Sequence, residues 1–557
     1  MRAEQESPNN PSPIGDSEWF DREVGWLRAD ADKVRWLIFG VLSALILYLI
    51  VIAKFATGPV NVFHNDVLML LDDGWRVLNG QVPHHDFNSP LGPLEFWIIG
   101  GGMLLAKGSA QGLAIGIAAF ALVLGIWGWL LSRQRLPALF ALLATIWLVF
   151  TASSPTPLGF DPRYLSCAMI YNRQGYALLG IILVECAFAG ERPMFWGGLS
   201  SGAALILLAI LKLNFFGIAG LLLLVSVPLR SDEIDRLWGF LAGSSATVLA
   251  LLLYPRFVFA RFFADMSFVS HARASSLSPS GLFHAVVTCA KAGTSWLVIA
   301  TTIAIVMLTA PEQRRQRQTV TLVLLSLIVL ASGPLFLQTN SLENRAQLAS
   351  LWIIILLERI SAMHQRVADK RVTVILIALS LGGIAAALIP DASSAFTLLG
   401  YQSSTAKGDG FRVDAPGMEQ LEFYNSSSFY DKVKAGDGDG AYYASTLNDG
   451  LALLRNNSTA QESILALGFH NPFSYLLRRK PAEGGSSYLF MGNSISESQM
   501  PSVDHVFGNA DLMIVPHNEG THRDSDLFIQ NYYRSYLLAN FHLVAQSQYW
   551  SLYHRNK

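Results

Sequence analysis

The chain has 557 residues, 52% of them hydrophobic and only 15% charged, with a formal net charge of -1. That balance excludes an ordinary soluble enzyme. With no basic cluster interleaved with aromatics, it also argues against nucleic acid as a partner. Cys167, Cys186 and Cys289 lie in or beside apolar segments, which leaves no disulfide framework for an extracytoplasmic domain.

Residues 1–34 read as a disordered cytoplasmic tail, with Pro8, Pro11 and Pro13 among Ser, Asn and Glu. The polar start holds no hydrophobic core, so it is no cleavable signal, and residues 35–56 form an uncleaved signal-anchor span. The loop 57–109 follows. Within it, His64–Pro93 is too polar to cross a bilayer. Val67, Leu70, Leu71, Trp75 and Leu78 share one helical face, and Asp72, Asp73, Arg76 and Asn79 share the other. The spacing predicts a short amphipathic helix on the membrane surface, with Asp66 at its N-cap, Gly80 at C′ and Asp72 and Asp73 on its solvated face. Leu94–Ala106 is apolar but too short to span, and is expected as a second interfacial helix.

Further spans are expected at 110–131, 136–152, 168–188, 194–211, 214–229, 237–254, 288–309, 319–337, 346–361 and 372–389, about eleven in all. The odd count, with the amino terminus inside, places Arg133 and Arg135, Arg192, Arg230 and Arg236, Arg314–Arg317 and Arg366–Arg371 on the cytoplasmic side, as the positive-inside rule requires. From Asp391 the composition turns soluble. Residues 391–557 read as a small α/β extracytoplasmic domain, with strands at Ser463–Leu467, Leu512–Val515 and Phe541–Val544 and helices at Tyr443–Leu454 and Leu527–Asn540. Asp437-Gly438-Asp439-Gly440 reads as a turn rather than a calcium loop.

Several polar groups stand at the outer membrane edge, where an unpartnered charge is costly. Tyr171, Asn172 and Arg173 open the span at 168–188, and a phosphate or Asp161 would partner Arg173. Lys212 interrupts two apolar runs, either as a snorkelling lysine or as a phosphate contact. Arg345 stands beside Asn344 in a late external loop and is shaped for bidentate phosphate binding. Asp86 with His84 and His85 could orient a phosphate or, with Asp66, hold a divalent metal such as Mg or Mn. The segment Arg256–Ser280, with Arg261, Phe262, Phe263, His271 and Arg273, suits an amphipathic helix near lipid headgroups.

Asp66, then Gly80, Gln81, Pro83, Asp86, Phe87, Gly92, Pro93 and Leu94, resemble the first periplasmic loop of GT-C glycosyltransferases. This family includes aminoarabinose and protein mannosyl transferases. Its members usually carry a second acid where this chain has Val67, and tyrosine where it has His84 and His85. The resemblance implies a polytopic α-helical enzyme of the bacterial inner membrane, with residues 35–390 as the catalytic domain. It would move a sugar from a polyprenyl-phosphate donor to an envelope lipid, glycan or protein, with inversion. It implies Asp66 as general base, Asp161 as a second functional aspartate in the loop that also holds Arg163, and Lys212 facing the lipid phosphate. An oligosaccharide polymerase or ligase, a transporter and a non-catalytic scaffold are the rival readings.

Overall fold

The computed structural model describes residues 31–187, 194–226, 234–254, 256–274, 278–309, 313–340, 347–363, 370–403, 410–426, 439–517 and 523–556. The first part is helical throughout: α1 (Ala31–Phe55), α2 (His64–Leu78), α3 (Pro93–Leu105), α4 (Gln111–Arg133), α5 (Ala138–Ser153), α6 (Ile170–Ala187), α7 (Met194–Ala209), α8 (Leu213–Ser226), α9 (Ile234–Leu252), α10 (Phe259–Ala274), α11 (Pro279–Ala290), α12 (Gly293–Thr309), α13 (Gln313–Asn340), α14 (Gln347–Met363) and α15 (Lys370–Ser403). Each segment expected as a span has its helix, and the two short helices α2 and α3 fall between the first two spans.

By length and composition, Val34–Phe55, Gln111–Arg133, Thr319–Gln338 and Val374–Gln402 can each cross a bilayer. The pair α11 and α12 passes as one broken span bent by 75°. The apolar helix α3, at 13 residues, reaches only about 20 Å at ~1.5 Å per residue, short of ~30 Å of hydrocarbon. On α1, Trp36, Phe39, Leu47 and Ile50 stay exposed, as a lipid-facing stripe must.

Small residues let the helices approach. Gly198 and Gly202 of α7 stand against Gly239 and Gly243 of α9, and a methyl at any of them would come within 2.0 to 2.3 Å of a partner carbonyl oxygen. Glycine alone fits there. Near this crossing, Glu185 of α6 is fully buried, with the Arg135 guanidinium at 2.5 Å and that of Arg236 at 3.5 Å. Two arginines assigned to cytoplasmic loops are therefore spent on one buried carboxylate.

The composition change at Asp391 is not a helix end. Pro390 is carried inside α15, and Asp391 is buried at 2.9 Å from Arg173, so the helix runs on to Ser403. The buried pair keeps Asp391 within the bundle despite its polarity.

The carboxy-terminal part contains α16 (Gly440–Asn457), β1 (Ile464–Ala466), α17 (Phe473–Leu476), α18 (Val503–Phe507), β2 (Leu512–Pro516), α19 (Arg523–Asn540), β3 (Phe541–Gln546) and β4 (Trp550–Arg555). Its sheet has the order β1-β2-β4-β3, with β1 and β2 parallel and the other pairs antiparallel. Met513, Val515, Ile529, Tyr533 and Leu537 form its inner core. The three expected strands and both helices are present, and β4 joins them. The two parts are pinned together: Val60 bridges to Phe423 and Asn88 to Ser486, and a single apolar core runs from Leu45 to Leu552.

Candidate active site

Helix α2 is built between the two parts. Phe63, in the left-handed region at φ 52°, is its N-cap residue and packs edge-on to Phe160. The helix therefore starts at His64, and Asp66 lies inside the first turn rather than at the N-cap. It still sits at the positive end of the helix dipole. At the other end the expectation holds. Gly80, at φ 83°, follows the C-cap Asn79, and the bonds Gly80 N–H to Val77 O (2.9 Å) and Gln81 N–H to Arg76 O (3.0 Å) close a Schellman turn.

Except at the exposed Asn79, the polar face of α2 is not solvated. Asp72, Asp73 and Arg76 are buried because the carboxy-terminal part closes over them. Arg76 donates to Asp72 (3.0 Å), Gln81 (3.2 Å) and the carbonyls of Ala482 (3.4 Å) and Gly484 (3.1 Å). Trp75 donates to the Arg479 carbonyl at 2.9 Å. Burial, then the neighbouring Asp72 charge, pushes the Asp73 carboxyl well above its ordinary range. This face fixes the pose of α2, and with it the position of Asp66.

Around Asp66, which is half-buried, four elements converge. The Asp66 carboxylate acts electrostatically on the phenols of Tyr171 on α6, Tyr443 on α16 and Tyr488 in the carboxy-terminal part. Burial pushes the Tyr488 phenol up to about 12, opposed by Arg273 and reinforced by Asp66. Lys212, in the turn between α7 and α8, donates to Asn172 Oδ1 at 3.0 Å and lies over the Tyr171 ring, 4.8 Å from its centre. Arg273, at the end of α10, donates to Asn493 and is close enough to Lys212 for the two charges to oppose each other. Asp66 and Arg273 thus both act on the Tyr171 phenol, and Lys212 lies over its ring.

Glu95, in the first turn of α3, belongs to this neighbourhood. It is fully buried, neither carboxyl oxygen has a hydrogen-bond partner among the described residues, and its charge acts on Tyr171 and Cys167. Burial pushes its carboxyl up to about 8. Gln174, one turn along α6 from Tyr171, is likewise buried with neither amide atom paired among the described residues.

The other expected residues are placed as follows. Asp86 accepts from Val82 N–H (2.7 Å) and His85 Nδ1 (2.7 Å) and pairs with Arg256 (3.3 Å), so it clasps its own loop. His84 Nδ1 lies 2.8 Å from Asp265. With His84 and Asp86 engaged in separate pairs, Asp66, Asp86 and His84 do not form a donor set. No cluster of three His, Cys, Asp or Glu side chains suited to a metal occurs among the described residues. Asp161 and Arg163 form an exposed pair at 2.9 Å. Arg173 is buried against Asp391 (2.9 Å) and the Thr156 carbonyl (2.6 Å) rather than against Asp161. Arg345 lies outside the described residues.

Sequence reasoning treated Arg273 as a headgroup contact and passed over Glu95, Tyr488 and Asn493. For Glu95 a signal existed, since a lone acid in an apolar run is costly.

No protein-family model matches the chain, and no curated protein matches its sequence. Among solved structures, it is similar to ArnT from Cupriavidus metallidurans in the apo state, at 12% identity and a TM-score of 0.36, over 94% of this chain and 98% of that one. The same protein bound to undecaprenyl phosphate matches at 11% identity and a TM-score of 0.37, over 93% and 98%.

Proposed function

We propose that the chain is a GT-C-type glycosyltransferase of the bacterial inner membrane, moving a sugar from a polyprenyl-phosphate donor to an envelope acceptor on the periplasmic face. The spacing from Asp66 to Leu94 supports the family. The observation that supports it best is that Asp66 and Arg273 act on the Tyr171 phenol while Lys212, acted on by Arg273, lies over the Tyr171 ring.

Each group has a task in such a transfer. The ionised Asp66 takes the acceptor hydroxyl's proton as the acceptor oxygen bonds to the anomeric carbon. The bond from that carbon to the phosphate oxygen breaks on the opposite face, its electron pair leaves with the phosphate, and the configuration inverts. Lys212 and Arg273 receive the departing anion through charge-assisted hydrogen bonds. Asn172 and the Tyr171 ring hold the ammonium in place for it. Asp161 and Arg163, already paired at the exposed rim, and Arg173, closed by Asp391, shape the surroundings rather than bind the phosphate.

Mass spectrometry of envelope glycans and lipids from cells with and without the gene tests this. The expected result is one sugar substituent lost without the gene and restored by the wild-type chain. An identical envelope in both cells would refute the assignment.

A further inference from the structure

Gly92, Pro93 and Leu94 belong to the residues that carry the family resemblance, yet the transfer described above gives them no task. Their contacts suggest one. The Gly92 N–H donates to the Leu211 carbonyl and the Leu94 N–H to the Ile210 carbonyl, each at 3.1 Å. The donors stand at the start of α3 and the acceptors just past the end of α7, where helices leave backbone groups without an intrahelical partner. Pro93, at the first position of α3, has no N–H to leave unpaired. The start of one helix thus caps the end of the other.

The contact is backbone against backbone. A methyl group on Gly92 would come within 2.0 Å of the Ile210 oxygen, 2.4 Å of its carbonyl carbon and 3.0 Å of the Leu211 nitrogen. At φ -72° and ψ 160°, Gly92 has an extended conformation open to any residue, so closeness alone demands glycine here. No side chain can swing aside. A larger residue must push the α7–α8 turn away by roughly 1 Å or more to restore van der Waals contact.

The next residue in that turn is Lys212. Its N–H donates to the Leu208 carbonyl at 2.9 Å and its carbonyl accepts from Phe215 N–H at 3.1 Å, so the lysine moves with the turn. On its other side, α3 is packed tightly on α2. A methyl on Gly74 would come within 2.6 Å of Ile99, and one on Gly100 within 3.0 Å of Val77. Asp66 on α2 and Lys212 beyond α7 are thereby held in register through α3.

We infer that Gly92 is a positioning residue for Lys212: its backbone contact with Ile210 and Leu211 sets where the ammonium stands relative to Asp66. The inference rests on the glycosyltransferase reading, which gives Lys212 the donor phosphate, and adds a residue that acts on that phosphate only through Lys212.

A double-mutant cycle tests it on the purified full-length chain, with undecaprenyl phosphate as the titrated probe and thermal melts in detergent to report folding. The four proteins are wild type, Gly92→Ala, Lys212→Met and the double variant. Gly92→Ala is expected to weaken binding roughly 10- to 100-fold, the scale of a lost charge-assisted contact or a misplacement of ~1 Å. In the Lys212→Met background it should add nothing. That non-additivity separates positioning from general support of the fold, because residues acting independently add.

If Gly92→Ala melts far below wild type, Pro93→Ala takes its place in the cycle. It frees the backbone angle between the two donors without crowding the turn, and its smaller loss must likewise vanish beside Lys212→Met. Wild-type binding in the folded variant, or an equal loss with and without Lys212, overturns the positioning role and leaves the phosphate reading standing. Wild-type binding in Lys212→Met removes Lys212 from the phosphate, and the positioning role with it.

Discussion

The two ends of α6 handle charge in opposite ways. At its last turn, Arg135 and Arg236 converge on the buried Glu185. At its first turn, Lys212 is held by the neutral Asn172 and Tyr171, while Arg273, held by Asn493, stands close enough to oppose it. One end supplies its own counter-ion and serves packing. The other sets two cations against neutral partners, with the Asp66 carboxylate acting on the same Tyr171 phenol. Arginines near a membrane edge therefore do not mark a site by themselves; their partners decide. Arg173 shows this on α6 itself, since Asp391 engages it two residues after Tyr171.

The contrast can be broken first at the closed end. Replacing Glu185 with alanine leaves two buried guanidiniums facing each other and is expected to destabilise the protein by about 3–5 kcal/mol. Fluorescence-detected thermal melts in detergent and membrane abundance both check it. A melting temperature equal to the wild type would show that the triad holds nothing together. At the open end, Lys212→Met should leave folding intact but weaken undecaprenyl phosphate binding roughly 10- to 100-fold, the scale of a charge-assisted hydrogen bond. Unchanged binding in a titration would remove Lys212 from the phosphate site.

Glu95 gives a pH-dependent effect of intermediate size. Its folded-state value of about 8 lies above the usual carboxylate range. The folded chain keeps the proton where the unfolded chain has lost it. Stability is therefore greatest below the usual carboxylate range and declines as pH rises toward the folded value, by about 1.4 kcal/mol per pH unit within that window. Glu95→Gln should flatten this slope in melts taken between about pH 5 and 8. A slope preserved in the variant would assign it to other groups. The smallest effect belongs to Asp161→Asn. Its pair with Arg163 is solvent-exposed, and such pairs contribute little. No measurable shift in melting temperature is expected, and a large one would mean the rim loop is fastened through this aspartate.

Much of this was legible in the residues. Apolar run lengths found a helix for each expected span but not α11 (Pro279–Ala290), and local patterning found three of the four strands. The Schellman turn at Gly80 followed from glycine's tolerance of positive φ. Three features escaped for distinct physical reasons. The N-cap shifted because Phe63 adopts a left-handed conformation against Phe160, a contact between residues 97 positions apart. Asp72, Asp73 and Arg76 looked solvated because their cover, including the Ala482 and Gly484 carbonyls, lies about 400 residues away. Arg273 looked like a headgroup contact because local periodicity does not reveal which neighbour, here Asn493, an amphipathic helix will meet.

The central claim is that Asp66 removes a proton while the cations hold the phosphate, and one comparison tests it. Wild type and Asp66→Asn, at equal membrane abundance, are assayed side by side for undecaprenyl phosphate binding and for sugar transfer. Asparagine keeps the size of the side chain but takes no proton. The expected result is unchanged lipid binding with transfer reduced by about 10²- to 10⁴-fold. Equal transfer in the two proteins would contradict the account and leave Asp66 as nothing more than a favourable charge in the first turn of α2.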